Sequence, residues 1–199
     1  MQKELVYMTN HIDFYFDIIS PYSYIAYKKI LKKKNIIFNY KPIFLGGLHN
    51  LAGIGAPAFN KYKMKNMKKD CDLVAQKNSI DFKWNSKFPI NSLGIMRGYL
   101  CVDNDKKDEY VNCFFEGYWK NNQDLSKTEN IVKILENLNI DSTHFFNSIK
   151  NQKVKDELIK LTSDAFEKEV FGAPTFIANN KIFWGQDRLE YALEELNNN

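Results

Sequence analysis

An α/β fold with a long all-helical insertion is what this sequence predicts, and three observations predict it. A strand pattern, a helix and a second strand pattern follow one another near the start. The chain closes on two short strand patterns and a helix. Between them, from 57 to 169, helical periodicity and charged faces run on with little strand signal. The order is therefore β-α-β, a helical insertion, then β-β-α.

Residues 11–17, HIDFYFD, read as a buried first strand with Phe14 and Phe16 facing opposite to Tyr15. Ser20 then stands at a helix N-cap and Pro21 at the first helical position. The pairing is favoured because a serine oxygen accepts a free N–H, whereas proline has none to lose. This helix carries Tyr24, Tyr27 and Leu31 at i, i+3 and i+7, and it ends in the lysines 32–34, which suit the negative helix end. Residues 36–40 form a second short strand, parallel to the first because a helix joins them. Gly46-Gly47 and Gly53-x-Gly55 read as isolated turns.

The insertion offers helices at 58–77, 92–103, 106–121, 127–138, 142–150 and 152–168, with Asn91 or Ser92, Ser126 and Asp141 as caps. Residues 81–90, which contain Pro89, read as an extended loop. Strand signals return at 175–178 and 181–184, and Asn179-Asn180 between them is a two-residue turn able to take positive φ, hence a hairpin. Asp187 caps a last helix, with Glu190 three positions on completing a capping box, and Leu189, Leu193 and Leu196 form its core face. Segments 1–56 and 170–199 are expected to build one discontinuous domain around an insertion domain at 57–169.

With 199 residues, 44% of them hydrophobic and 15% aromatic, the chain has material for a substantial core, which excludes wholesale disorder. Its net charge of +4 is mild, and the lysine-rich run at 61–69 reads as a solvated helix face. No aromatics interleave with arginine as a base-stacking groove needs, so no nucleic-acid partner is expected. Residues 1–7 lack the apolar core of a secretory signal, and no apolar run suits a bilayer, so a cytoplasmic location without membrane contact is expected. Cys71, Cys101 and Cys113 are odd in number and none forms Cys-x-x-Cys, which points to reduced, packed thiols. The three histidines are too dispersed for a metal set, and no metal is expected.

Two motifs, FDIISPYS at 16–23 and FGAPT at 171–175, resemble those of the 2-hydroxychromene-2-carboxylate isomerases and kappa-class glutathione transferases, built on a thioredoxin-like fold with a DsbA-like helical insertion. The run FWGQDRL at 183–189 looks like the same family's C-terminal signature, and Pro57-Ala58 and Lys63 match its Pro-Ala…Lys pattern. The resemblance implies glutathione as cofactor, an aromatic or electrophilic small-molecule substrate, and a homodimer. Ser20 and Ser23 stand where redox relatives carry the two cysteines, so disulfide exchange by this motif is excluded. What remains at Ser20 is a hydroxyl donor at a positive helix end, able to hold a bound thiol as its anion.

The resemblance also implies that Pro174 is cis and presents the Ala173 backbone to the tripeptide. It further implies that Gln186, Asp187 and Arg188 contact glutathione, Asp187 at the α-amino group and Arg188 at a carboxylate. Lys63 would meet the glycine carboxylate, with Lys61 and Lys65 as neighbouring alternatives on the same face. Each residue also has a plainer reading: a helix cap for Ser20 and Asp187, a strand-edge turn for Pro174, a surface ion pair for Arg188. Tyr22, Trp84, Phe88 and Trp119 either line an aromatic substrate pocket or pack the core. The chain departs from the kappa-class pattern near Ile54, where those enzymes carry an asparagine. The reading is a glutathione-dependent isomerase. Its alternatives are a kappa-like transferase, a DsbA-like disulfide oxidoreductase and a non-catalytic thioredoxin-fold binding module.

Overall fold

Four strands form one sheet in the order β2-β1-β3-β4, in a computed structural model that describes residues 11–197. Residues 1–7, considered above for a secretory signal, lie outside the described residues. Strand β1 (His11–Phe16) pairs parallel with β2 (Ile37–Pro42) and antiparallel with β3 (Thr175–Ala178), which pairs antiparallel with β4 (Lys181–Trp184). The hairpin falls where the sequence places it, with Asn179 and Asn180 at φ 47° and 62°. Such angles cost asparagine less than most residues.

The two faces of β1 bury different cores. Ile12, Phe14 and Phe16 pack with α1 (Pro21–Ile30), α9 (Leu189–Asn197) and the buried aromatics of the insertion. Phe14 stacks on Phe16 and on Phe176, each at 5.5 Å between ring centroids. Tyr15 faces the other way, into a smaller cluster with Ile43, Leu48, Ala165 and Val170. That cluster is covered by α2 (Leu45–Leu51) and α8 (Gln152–Glu167).

Between α2 and α8 lie α3 (Lys61–Lys77), α4 (Leu93–Cys101), α5 (Lys107–Trp119), α6 (Thr128–Asn137) and α7 (Ser142–Ser148), with no strand among the described residues from 43 to 174. All six helical expectations are met within a few residues. No helix of the described residues is long and apolar enough to cross a membrane.

Four expectations are corrected. Helix α1 closes at Ile30, which is buried, while Leu31 is its C-cap and 51% exposed; Lys28 and Lys29, rather than the lysines 32–34, occupy the last turn. Gly46 and Gly47 belong to α2 rather than to a turn. Tertiary partners satisfy the N–H groups that open this helix: Phe44 N–H donates to the Thr162 hydroxyl at 3.0 Å, and Leu45 N–H to the Asp17 carboxylate at 2.9 Å. Asp141 caps α7 through His144 N–H, and Asn91 accepts the Leu93 N–H at 2.9 Å where α4 begins, while Ser92 at the N-cap turns its hydroxyl to Asp17; Ser126 lies outside α6, whose N-cap is Lys127. The Asp187–Glu190 capping box does not form either. Helix α9 starts at Leu189, and Glu190 pairs with Lys33 at 2.8 Å.

The helices of the insertion pack tightly on one another, and Gly98 on α4 shows how tightly. A Cβ there would sit 2.3 Å from the Tyr110 hydroxyl and 2.4 Å from the Phe145 ring. Gly98→Ala is therefore expected to destabilise the protein by ~1–3 kcal/mol, read as a lower urea midpoint. An unchanged midpoint would show that α4 can shift away from α5 and α7.

Candidate functional site at the mouth of helix α1

Ser20 is the N-cap of α1, in extended conformation at φ −81° and ψ 116°. Its Oγ accepts the Ser23 N–H at 3.1 Å and donates to the Ala173 carbonyl at 2.9 Å, across 153 positions of sequence. The Ala173–Pro174 bond is cis, as the resemblance implies. The two motifs therefore meet, and they meet at this hydroxyl. Ser20 is only 4% exposed, with one bond given and one taken, so any ligand on its oxygen competes with the Ala173 carbonyl for the proton. Ser23, one turn on, is fully buried, and its Oγ has no hydrogen-bond partner among the described residues.

The loop carrying Ser20 is held from several sides. Asp17, fully buried, accepts from Ile19 N–H at 3.1 Å on one oxygen. Its other oxygen accepts from Leu45 N–H at 2.9 Å and from the Ser92 hydroxyl at 3.0 Å. Burial pushes the Asp17 carboxyl up to about 6, partly offset by these three donors. Its backbone carbonyl takes the Ser20 N–H at 3.0 Å. The next carbonyl, of Ile18, accepts from Trp119 Nε1 at 2.8 Å, which ties the insertion to the loop. Sequence reading placed Asp17 at the end of a strand and gave it no role. Two of its partners, Leu45 and Ser92, come from distant segments, and no local pattern reveals them.

Behind Ala173 the wall is aromatic. Trp184 and Phe171 lie 4.9 Å apart and are about half exposed, and a Cβ at Gly172 would come within 2.7 Å of Trp184 Nε1. Gly185 sits at φ +117°, a backbone that side-chain-bearing residues avoid. It donates its N–H to the Pro174 carbonyl at 3.0 Å, and the Asp187 carboxylate folds over it. Gly185 is thus tied to the cis-proline segment, with Asp187 beside it. Among the described residues no acceptor takes the Ala173 N–H.

The other expected contacts divide. Asp187 and Arg188 are about half exposed and pair with each other at 3.4 Å, and Arg188 also lies over the Tyr191 ring. The Gln186 side chain is buried and committed to Lys29, whose Nζ reaches its Oε1 at 2.5 Å. Lys63 lies on the first turn of α3, exposed, with its backbone N–H on the Asn60 cap, and no contact joins it to Ser20. The link from α3 to the site is Tyr22, which donates to Asp70 at 2.8 Å.

Of the four aromatics, Trp119 is fully buried core, stacked on Phe82 at 5.7 Å. Trp84 and Phe88 pack against it, and Trp84 also floors a groove of about 430 Å³ beside Lys61, Met64, Lys65, Lys68, Lys69 and Asp72. The cysteines are free, Cys71 buried and Cys101 and Cys113 half-buried, and burial raises all three thiols. No group of metal-binding side chains occurs among the described residues.

Comparison with known proteins identifies the family and the fold. The DSBA-like thioredoxin domain profile matches residues 11–197. A 2-hydroxychromene-2-carboxylate isomerase of Sphingobium xenophagum is 26% identical over 189 residues, covering 92% of this chain and 96% of the relative. The glutathione S-transferase kappa 1 of Caenorhabditis elegans is 25% identical over 197 residues, covering 89% of this chain and 86% of the relative. Among solved structures, a 2-hydroxychromene-2-carboxylate isomerase superposes with a TM-score of 0.85 at 24% identity, covering 94% of each chain, a likeness of fold.

Proposed function

Because this chain belongs to the DSBA-like thioredoxin domain family, we propose that it is a glutathione-dependent isomerase of the 2-hydroxychromene-2-carboxylate isomerase type, with Ser20 as its catalytic residue. One observation carries the reading. A serine hydroxyl, in place of a thiol, closes on the cis-proline peptide at a helix N-terminus, 2.9 Å from the Ala173 carbonyl. The relatives named as isomerases and as transferases support an enzyme.

The residues present suit a thiol tripeptide. The Ala173 N–H, which has no acceptor among the described residues, would pair with an extended peptide as an added strand does. Asp187 would take the α-amino group, and Arg188 and Lys63 would take carboxylates. Gln186, its side chain held by Lys29, would contribute through its backbone N–H. Pro174 sets the direction of that backbone.

Bound glutathione would supply the sulfur nucleophile that adds reversibly to an unsaturated aromatic substrate. While that sulfur is an anion, before addition and again after elimination, Ser20 would turn its proton from the Ala173 carbonyl to it. The positive end of α1 adds to that stabilisation in a site largely shielded from water. Asp17 and Trp119 keep the loop in register while this exchange takes place. The cytoplasmic setting and a homodimer belong to the same proposal.

Incubation with glutathione and an unsaturated aromatic carbonyl compound is the test. Rearranged product with all thiol recovered supports the isomerase, whereas accumulating S-conjugate would make the enzyme a kappa-like transferase. Asp187→Ala is expected to weaken glutathione binding roughly threefold to tenfold by calorimetry, without lowering thermal stability, since the exposed Asp187–Arg188 pair holds little of the fold. An unchanged Kd would remove Asp187 from the site.

A further inference from the structure

Helices α2, α4 and α8 enclose a groove of about 360 Å³ on the sheet face away from α1, and nothing in the function above uses it. Its body is apolar, lined by Phe44, Leu51, Leu93, Leu158 and Ile159, with Ile159 61% exposed and Leu51 48% exposed. Two cations share the lining, Arg97 and Lys155. Neither pairs with an acidic side chain among the described residues, and Arg97 Nε is buried with no hydrogen-bond partner there. A guanidinium nitrogen withdrawn from water without an acceptor costs free energy that an anion would restore.

The groove has a direction. At one end Phe44 N–H meets the Thr162 hydroxyl, and Ser92, the neighbour of Leu93, meets Asp17. Arg97 lies one turn of α4 beyond Leu93, and Lys155 two turns of α8 from Thr162, so the cations gather away from that end. Two turns of helix rise ~10 Å, the reach of a medium-length acyl chain or a fused aromatic ring.

We propose that this groove is a second ligand site, separate from Ser20, that binds a small amphipathic monocarboxylate. The carboxylate lies between Arg97 and Lys155, and the hydrocarbon lies along Leu93, Leu158 and Ile159. A cleft of this size with a few convergent polar groups is the usual form of a small-molecule site.

Calorimetric titration of octanoate, with octanol as the uncharged control, tests the proposal. Octanoate is expected to bind at one site per chain, and octanol roughly tenfold more weakly. Arg97→Met keeps the side chain's apolar length while removing its charge, and should weaken octanoate roughly tenfold without changing octanol. Ile159→Glu, at an exposed position that folding does not depend on, should abolish binding. Ser20→Ala should leave octanoate affinity intact, which separates this site from the proposed thiol site. Octanoate that fails to bind, or binds equally well to Arg97→Met, would overturn the proposal. So would a dimer that Ile159→Glu splits into monomers, because a second copy would then cover the groove.

Discussion

Replacing Ser20 with alanine is expected to leave the fold in place and to lower turnover by roughly tenfold or more, in step with the smaller fraction of bound thiol held as its anion. The structural cost is separable. Ser20 Oγ caps α1 through the Ser23 N–H, and loss of such a cap costs ~1 kcal/mol. A protein that melts slightly lower yet keeps its circular dichroism and loses its rate fits the account. Ser20→Thr, which keeps a hydroxyl at the cap, should recover part of both. If Ser20→Ala turned over substrate at the parent rate, Ser20 would be a cap and a tie to the Ala173 carbonyl, with no part in the chemistry.

Asp17→Asn is expected to destabilise the protein by ~2–3 kcal/mol, the largest stability change among the polar substitutions near the site. The carboxylate accepts three hydrogen bonds, two of them on one oxygen. An amide nitrogen on either side would face a donor instead. The pH dependence carries a sign. Burial raises the folded Asp17 pKa to about 6 from its ordinary value of 3.8, so between those values the folded state binds more protons than the unfolded. Stability from this group is complete below pH 3.8 and is lost as pH rises through about 6. The parent should therefore lose on the order of 2 kcal/mol from this group between pH 4 and 7, and Asp17→Asn should not. Urea midpoints across that range decide it. Parallel curves for the two proteins would mean that Asp17 does not titrate there.

Much of this architecture was legible because its signals are local. The strand alternation around Phe14, the Ser20-Pro21 cap and the Asn179-Asn180 turn each declare themselves within a few residues, and the structure reproduces all three. The encounter of Ser20 with Ala173 was legible only as the pairing of two motifs, each weak when taken alone. What stayed hidden depends on partners far away in sequence. Helix α2 opens with two glycines and no cap of its own, and it forms because Thr162 and Asp17 accept the N–H groups that begin it. The Asp187-x-x-Glu190 spacing read as a capping box, but Lys33, 157 positions earlier, draws Glu190 away. Gln186 is likewise settled by Lys29, and Leu31 by where the helix happens to stop.

The most direct measurement is the ionisation of glutathione bound to the protein, followed by thiolate ultraviolet absorbance as pH is varied, in the parent and in Ser20→Ala. A free thiol of this kind titrates near ~8.5, and the parent should lower that by roughly one unit or more, with most of the shift gone in Ser20→Ala. The same titration curve in both proteins, or no bound thiol in the parent, would contradict the account.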